Sequence, residues 1–182
     1  MTCDRDLHAS RRSLLGWAGA GLAGAAVFGQ DRASAAEAPP DPIPGMEFAF
    51  EEIATLGPAQ HPGATPFGER NRIPITGGTF KGPRISGKTV PGGADWQLIR
   101  NDKALVIEAD YMIQADDGTL IHVYNKGLIV FAPGGGAYAR TAPVFEAPIG
   151  PHDWLNQAIF VGTLGQIAGM KDAVRVRVFK VT

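Results

Sequence analysis

The sequence predicts an all-β protein, built as a single antiparallel β-barrel of about eight to nine strands. Three observations support this prediction. Apolar and polar residues alternate along most of the chain after residue 45, Gly- and Pro-rich stretches separate the alternating segments, and no amphipathic helix longer than two turns is evident there. A barrel is favoured over a sandwich because closure leaves no exposed edge strand.

The individual strands are predicted from this alternation, beginning at Met46, where Met46, Phe48 and Phe50 alternate with acidic or small residues. Further strands are predicted at residues 73–80, 84–90, 95–100, 103–114, 119–130, 143–146, 154–163 and 173–181. Residues 57–71, which contain three prolines, are predicted to form a polar loop. Pro91-Gly92-Gly93-Ala94 is predicted to form a turn between two strands.

Two glycine motifs carry more specific predictions. Asp116-Asp117-Gly118 lies between two long alternating segments, and Asp-Gly in that position is the strongest short-range signal for a β-hairpin. Gly77-Gly78 lies inside a predicted strand, which indicates a bulge or a close approach between two backbones.

The first 35 residues have the form of a twin-arginine signal peptide. Arg11-Arg12 precedes an apolar segment at residues 14–29, which is shorter than the roughly 20 residues a spanning helix needs, and Ala33-Ser34-Ala35 supplies a small-residue cleavage site. We therefore expect the export machinery as a partner and a periplasmic or secreted location. A Pro-rich tether at residues 36–45 would then lead into a barrel domain at residues 46–182.

Composition excludes several classes of function for the chain after the predicted signal. It retains 13 basic and 15 acidic side chains, a net charge of −2, which argues against nucleic acid and anionic membrane surfaces as partners. No stable membrane insertion is expected. The single cysteine, Cys3, lies within the signal, so neither a disulfide nor a thiolate nucleophile is expected in the barrel.

The motifs of common cofactor enzymes are absent from the sequence. It has no dinucleotide-binding fingerprint opening a helix, no P-loop and no G-x-S-x-G elbow. His61, His122 and His152 form neither a His-x-His nor a His-Glu-x-x-His pair, the spacings that place two metal ligands on one face. No cofactor and no metal are therefore expected.

Several motifs resemble the family catalogued as domain of unknown function 3237. In chain order they are Ile75-Thr76-Gly77-Gly78-Thr79-Phe80, Pro91-Gly92-Gly93-Ala94-Asp95-Trp96-Gln97, Asp116-Asp117-Gly118, Tyr124-Asn125-Lys126-Gly127, Phe145-Glu146, Trp154-Leu155-Asn156 and Phe160-Val161-Gly162. The resemblance extends over nearly the whole chain after the tether. It implies a small antiparallel barrel, lipocalin-like or allene-oxide-cyclase-like, and it implies no settled activity.

Alternation along the strands brings polar and aromatic side chains together on shared faces, as in a ligand pocket with apolar walls and a few polar groups. The candidate ligand-binding residues are Trp96, Gln97, Tyr111, Asn125, Glu146, Trp154, Asn156 and Phe160. The candidate catalytic residues are Glu108 and Asp95 as bases and Tyr124 and His122 as acids. Each also has a plain structural interpretation, as a turn, core or surface residue, and for Glu108 a solvent-facing position is the ordinary one.

Three functions remain open at this point. The first is an exported barrel that binds a small, partly apolar or aromatic compound, for which aromatic acids and lactones are the ligands to test. The second is a cofactor-free isomerase, cyclase or lyase that uses a carboxylate inside the barrel as acid or base, with Asn156 as a hydrogen-bond donor. The third is an assembly subunit, and a homo-oligomer is compatible with all three.

Overall fold

Nine strands and one short 3₁₀-helix form the protein in a computed structural model that describes residues 43–182. The strands are β1 (Met46–Leu56), β2 (Gln60–Thr65), β3 (Gly68–Lys81), β4 (Ser86–Ile99), β5 (Leu105–Ala115), β6 (Leu120–Phe131), β7 (Ala137–Glu146), β8 (Phe160–Ile167) and β9 (Met170–Val181). The signal peptide predicted at residues 1–35 and most of the predicted tether lie outside the described residues. Within residues 43–182, no helix is long and apolar enough to cross a membrane.

The sheet closes on itself because β1 pairs with both β9 and β3. The closed barrel has eight antiparallel strands in the order β1-β9-β8-β7-β6-β5-β4-β3, and β2 adds to β3 as a ninth. This confirms the predicted all-β barrel. At the closing pair, Gly78 has φ +141°, and a Cβ there would overlap the carbonyl group of Ile53. The close backbone approach predicted for Gly77-Gly78 is therefore confirmed.

The hairpin predicted at Asp116-Asp117-Gly118 is also confirmed, since this turn joins β5 to β6. Gly118 has φ +89°, a conformation that glycine adopts without strain. Asp117 Oδ1 accepts a hydrogen bond of 3.0 Å from the backbone N–H of Thr119, which fixes the second half of the turn.

Two predicted connections are wrong, because both contain strand. Residues 57–71 form a hairpin of β2 with the start of β3; most β2 side chains are exposed, so the segment lacks the apolar alternation that would have marked a strand. Pro91-Gly92-Gly93-Ala94 lies within the continuous strand β4, where the pairing register shifts between Val90 and Ala94. Here the glycines form a bulge instead of reversing the chain.

Two predicted strands have different bounds in the structure. β7 begins at Ala137, well before the predicted residue 143, and the strand predicted at residues 154–163 is divided. Its first part is the 3₁₀-helix Asp153–Gln157, and β8 begins only at Phe160. The helix forms here because one turn brings Leu155, which is 1% exposed, into the end of the barrel.

One end of the barrel is filled by four phenylalanines, which we call the aromatic plug: Phe50, Phe80, Phe145 and Phe160. Their ring centroids lie 5.1–5.8 Å apart in tilted or edge-to-face pairs, the arrangement that aromatic rings prefer. Each phenylalanine comes from a different strand, so the plug ties β1, β3, β7 and β8 together. Leu155 of the 3₁₀-helix belongs to the same buried cluster.

Candidate functional site

The barrel is hollow at the end opposite the aromatic plug. The cavity there has a volume of about 600 Å³, a size typical of pockets that bind small organic molecules. Its wall is mostly aliphatic and consists of alternate strand residues such as Ile107 of β5 and Val176 of β9. Leu56, Phe131 and Gln166 lie at its mouth, where β1, β6 and β8 end.

A buried carboxyl group separates this cavity from the plug. Glu52 of β1 is 1% exposed and lies between Phe50 of the plug and Ala54 of the cavity wall. The Tyr111 hydroxyl donates to Glu52 Oε2 at 2.6 Å, and the Thr89 hydroxyl donates to Oε1 at 2.7 Å. Because β3 and β4 separate β1 from β5 around the barrel, the Glu52–Tyr111 hydrogen bond crosses the interior. Tyr111 lines the cavity and Glu52 lies behind it, and we call this pair the floor.

The titration of both floor residues is displaced by burial. Desolvation raises the pKa of Glu52, and the hydrogen bonds donated by Tyr111 and Thr89 oppose this rise. Burial, together with the neighbouring Glu52 carboxylate, raises the pKa of Tyr111 well above its ordinary value. Tyr111 therefore remains a protonated hydrogen-bond donor at neutral pH.

A second carboxyl group, Asp95 of β4, lies in the cavity wall itself. Its Oδ2 accepts a hydrogen bond of 2.7 Å from Gln97 Nε2, and its Oδ1 accepts one of 3.0 Å from the backbone N–H of Glu108. Desolvation by burial raises the pKa of Asp95, although both hydrogen bonds oppose the rise. A carboxyl group whose pKa is raised toward neutrality is suited to both accepting and donating a proton.

Asn125 of β6 lies at the same level of the barrel as Asp95. The pairing register places Asp95 opposite Ala109 of β5, and Ala109 opposite Asn125. Ala109 is small, so space remains between the two polar side chains. Asn125 is 3% exposed, and its Oδ1 has no hydrogen-bond partner among residues 43–182. A buried polar atom without a partner is uncommon and indicates an unfilled binding capacity.

Among residues 43–182, the charged side chains around the cavity are all acidic. Within the described part of the chain, no Lys, Arg or His lines the cavity, whereas Asp95 lies in its wall and Glu52 in its floor. The same residues contain no group of three or more His, Cys, Asp or Glu side chains that could hold a metal ion.

Of the twelve residues that the sequence nominates, four line the cavity: Asp95, Gln97, Tyr111 and Asn125. Their strands alternate, so the neighbouring candidates Trp96, Glu108 and Tyr124 lie on the outer face. Trp96 is 45% exposed and Tyr124 37% exposed. Glu108 forms a 2.9 Å ion pair with Lys126, its partner in the register of β5 and β6. The structure therefore places the Glu108 side chain outside the barrel, where it cannot act as a base on a molecule in the cavity.

This placement predicts that Glu108→Gln leaves ligand binding in the cavity unchanged. The side chain does not reach the interior, and its backbone N–H, which bonds to Asp95, is retained. The midpoint of urea unfolding should also change little, because an exposed ion pair contributes little net stability. Loss of cavity binding in this variant would contradict the assignment of Glu108 to the outer face.

His122 and Glu146 also lie on the outer surface, together with Asp110. His122 Nε2 lies 2.8 Å from Asp110 Oδ1, and its Nδ1 lies 3.4 Å from Glu146 Oε2. The hydrogen bond to Asp110 raises the pKa of His122, and the carboxylate of Glu146 adds to the rise. These residues form a surface ion cluster across β5, β6 and β7, away from the cavity.

The imidazole of His122 should accordingly titrate above its ordinary value of 6.5. The stability that this cluster adds should be fully present below that pH and lost as the pH rises through the folded-state pKa. Proton NMR of the ring resonances across pH 5 to 9 measures the effect. Asp110→Asn should lower the titration midpoint, and an unchanged midpoint would contradict the contribution of Asp110.

The remaining candidates belong to the plugged end. Phe160 is part of the aromatic plug, and Trp154 packs against it at 5.9 Å while Arg84 stacks over the indole at 4.3 Å. The amide of Asn156 exchanges two 2.8 Å hydrogen bonds with the backbone of Ala147. Its partner is therefore backbone, and Asn156 holds the 3₁₀-helix against the end of β7.

Sequence reasoning missed Glu52 and Thr89. A signal for Glu52 was present, since Phe50, Glu52 and Ala54 occupy alternate positions on one face of β1. A glutamate between two inward apolar residues must be buried with a partner. Thr89 gave no comparable signal, because threonine is common on both faces of strands.

Comparisons with known proteins agree with this architecture. The family model described as "Protein of unknown function (DUF3237)" matches residues 44–181. A UPF0311 protein of Rhodopseudomonas palustris (strain TIE-1) is 36% identical over 136 residues, which cover 67% of this chain and 88% of that protein. Hydroalkoxylation enzyme phnH of Penicillium herquei is 29% identical over 120 residues, covering 66% and 74%. The crystal structure of a beta-barrel like protein from Acinetobacter baumannii AYE matches with a TM-score of 0.73 at 27% identity, covering 80% of this chain and all of that one.

Proposed function

The chain belongs to the DUF3237 family, and from the cavity in its barrel we propose that it binds a small, partly apolar organic molecule there. The cavity of about 600 Å³ carries this proposal, because it combines an aliphatic wall with the buried polar groups of Asp95 and Asn125. A packed barrel without a ligand would gain stability by replacing those groups with apolar ones. Their presence supports a binding role.

Filling the cavity tests this function. We expect the uncharged fluorescent probe N-phenyl-1-naphthylamine, whose emission rises in apolar surroundings, to bind the wild type. Ala109→Trp should weaken its binding by about tenfold or more, because the indole would occupy the space between Asp95 and Asn125. Ala142→Trp is the matched control, since Ala142 lies on the exposed face of β7. Equal binding by both variants would contradict a cavity site.

A second variant, at the mouth of the cavity, tests the same site even if Ala109→Trp does not fold. Ala137 begins β7, is exposed and lines the cavity, so a tryptophan there obstructs access without entering the core. Ala137→Trp should slow both association and dissociation of the probe, as measured by stopped-flow fluorescence.

Catalysis is the second candidate function, favoured by Asp95 and by one relative. A carboxyl group with a raised pKa in an apolar wall is the usual route to acid–base chemistry near neutral pH. A relative at 29% identity is named a hydroalkoxylation enzyme, and proton transfer by a barrel carboxylate suits a cofactor-free isomerase, cyclase or lyase. In this proposal Asp95 moves the proton. The Tyr111 hydroxyl donates its one hydrogen to Glu52, so its oxygen can only accept a hydrogen bond from the substrate.

Proton exchange into a bound ketone tests this role without the natural substrate. In D₂O, the Asp95 carboxylate would remove an α-proton of 2-tetralone and return a deuteron to the same carbon, which NMR detects. Asp95→Asn should abolish the exchange above background and still bind N-phenyl-1-naphthylamine. Exchange at equal rates in the two proteins would contradict acid–base catalysis by Asp95.

We also propose that residues 1–35 direct twin-arginine export to the periplasm or beyond. The proposal is supported by Arg11-Arg12, the apolar segment that follows and the cleavage motif Ala33-Ser34-Ala35. A reporter fused after residue 45 should be exported, and replacing both arginines with lysine should retain it in the cytoplasm. Export that survives this double replacement would contradict the twin-arginine assignment.

A further inference from the structure

The ionisable groups of the cavity restrict the charge of its ligand. Asp95 in the wall and Glu52 in the floor are acidic, and no basic side chain of residues 43–182 lines the space. An anionic ligand would lose its hydration there without gaining a cationic partner, which is strongly unfavourable in apolar surroundings. A carboxylate or phosphate compound is therefore a poor fit.

A cationic ligand is disfavoured for a different reason. Asp95 is its only potential counter-ion in the described cavity wall, and it would have to be ionised. Both of its oxygens already accept hydrogen bonds, from Gln97 and from the backbone of Glu108. Desolvation raises the pKa of Asp95, so burial works against the charged carboxylate that a cation would need as its partner.

Between the mouth and the floor, the polar groups lie on one side of the cavity. Asp95 and Gln97 come from β4 and Asn125 from β6, with β5 between them. The strand order places β8, β9 and β1 on the opposite side of the barrel. At the depth of the cavity those strands contribute hydrocarbon, including Leu164 and Val174.

Asn125 gives this polar side an unfilled hydrogen-bonding capacity. Its side chain is 3% exposed, it lines the cavity, and its Oδ1 has no partner in the described chain. Rotation of the amide by 180° exchanges its oxygen and nitrogen with little change in shape, so it can meet a ligand hydroxyl with an acceptor or a ligand carbonyl with a donor.

We infer that the cavity takes an uncharged ligand with a hydroxyl or carbonyl group on one edge, against Asp95 and Asn125, and hydrocarbon on the other. This inference rests on the proposed binding function and adds the chemical class of the ligand. We therefore expect the cavity to bind alcohols, phenols, ketones or lactones and to reject aromatic acids.

Four ligands with one ring system test the inference in competition with N-phenyl-1-naphthylamine on the full chain. They are naphthalene, 2-naphthol, 2-naphthoate and 2-naphthylmethylammonium. We expect 2-naphthol to bind most tightly, with naphthalene about five- to tenfold weaker through the lost hydrogen bond and both ions weaker by about tenfold or more. This series uses the wild type alone, so it does not depend on any variant folding.

Asn125→Leu, which is close in volume, should bind naphthalene at least as well as the wild type does and lose most of the preference for 2-naphthol. Asn101→Leu, in the exposed turn between β4 and β5, is the matched control and should retain that preference.

The possible outcomes distinguish failure of the inferred ligand class from failure of the proposed binding function. If 2-naphthoate or the ammonium compound binds as tightly as 2-naphthol, the uncharged class is wrong and the cavity still binds ligands. If naphthalene equals 2-naphthol, or if Asn125→Leu keeps the preference, the polar edge is wrong. If none of the four competes and Ala109→Trp leaves the fluorescent probe unaffected, the proposed binding function itself fails.

Discussion

Phe50→Ala is expected to lower the free energy of unfolding by about 3–5 kcal/mol. Phe50 is 1% exposed, and its ring lies 5.5 Å from that of Phe80 and 5.8 Å from that of Phe145. Truncation removes both contacts and leaves a void that neighbours on three separate strands cannot easily fill. Urea unfolding followed by tryptophan fluorescence measures the loss as a lower midpoint at constant slope.

Phe67→Ala provides the matched control for this substitution. Phe67 is 74% exposed in the turn between β2 and β3, so the same truncation should change stability by no more than about 0.5 kcal/mol. Similar losses in the two variants would mean that the aromatic plug is not the main source of core stability. Phe50→Ala should also keep its affinity for N-phenyl-1-naphthylamine at temperatures where it remains folded, because the Glu52 floor separates the plug from the cavity.

Glu52→Gln is expected to become more stable relative to the wild type as the pH rises from 4 to 8. Burial raises the pKa of Glu52 from its ordinary 4.5, so the folded protein holds this proton more tightly than the unfolded chain does. The stability associated with the protonated group is fully present below pH 4.5 and is lost as the pH rises through the folded-state pKa. Between those two values the wild type should lose up to about 1.4 kcal/mol per pH unit relative to the variant.

Tyr111→Phe tests the same buried carboxyl group by removing its hydrogen-bond donor. At pH 7 it deprives Glu52 of its 2.6 Å hydrogen bond and should cost about 2–3 kcal/mol. In the Glu52→Gln background the same replacement should cost less, because the carboxyl group that accepts this hydrogen bond is absent.

Glu51→Gln is the control for the pH profile. Glu51 is the neighbouring glutamate, on the outer face 3.5 Å from Arg177, and the same chemical change there should leave the pH profile close to that of the wild type. Parallel profiles for the wild type and Glu52→Gln would contradict a raised pKa at Glu52. Urea unfolding at intervals of one pH unit supplies all of these comparisons.

Much of the fold could be predicted from the sequence because alternation and turn residues are local signals. The Asp-Gly hairpin, the glycine contact at Gly78 and the opposite directions of Asp95 and Trp96 all follow from residues close together in the chain. The sequence of β5 also predicts which of its faces points inward, because the apolar Ile107 and Tyr111 lie on one face and Glu108 on the other. The prediction of Glu108 as an interior base was wrong, because the alternation in β5 places Glu108 on the face opposite Ile107 and Tyr111.

The floor of the cavity could not be derived in the same way. Counting by twos from Phe48 places Phe50 and Glu52 on one face, and both are buried, but the register shift between Phe48 and Phe50 makes the same count wrong for Phe48 itself. A bulge of this kind reverses the phase of the strand and has no distinct sequence signature. The contact of Glu52 with Tyr111 also joins residues 59 positions apart, and only the closure of the barrel brings them together.

The aromatic plug makes the hollow half of the barrel a dead-end channel. A molecule that enters past Leu56, Phe131 and Gln166 must leave by the same route, so an occupant and its replacement cannot pass through in single file. For the ligand that we propose, residence time would then depend on the rim, which includes Gly136 of the loop between β6 and β7, whereas the plugged half sets resistance to unfolding. Exchange rate and fold stability can therefore be altered separately by substitutions at opposite ends of one small domain.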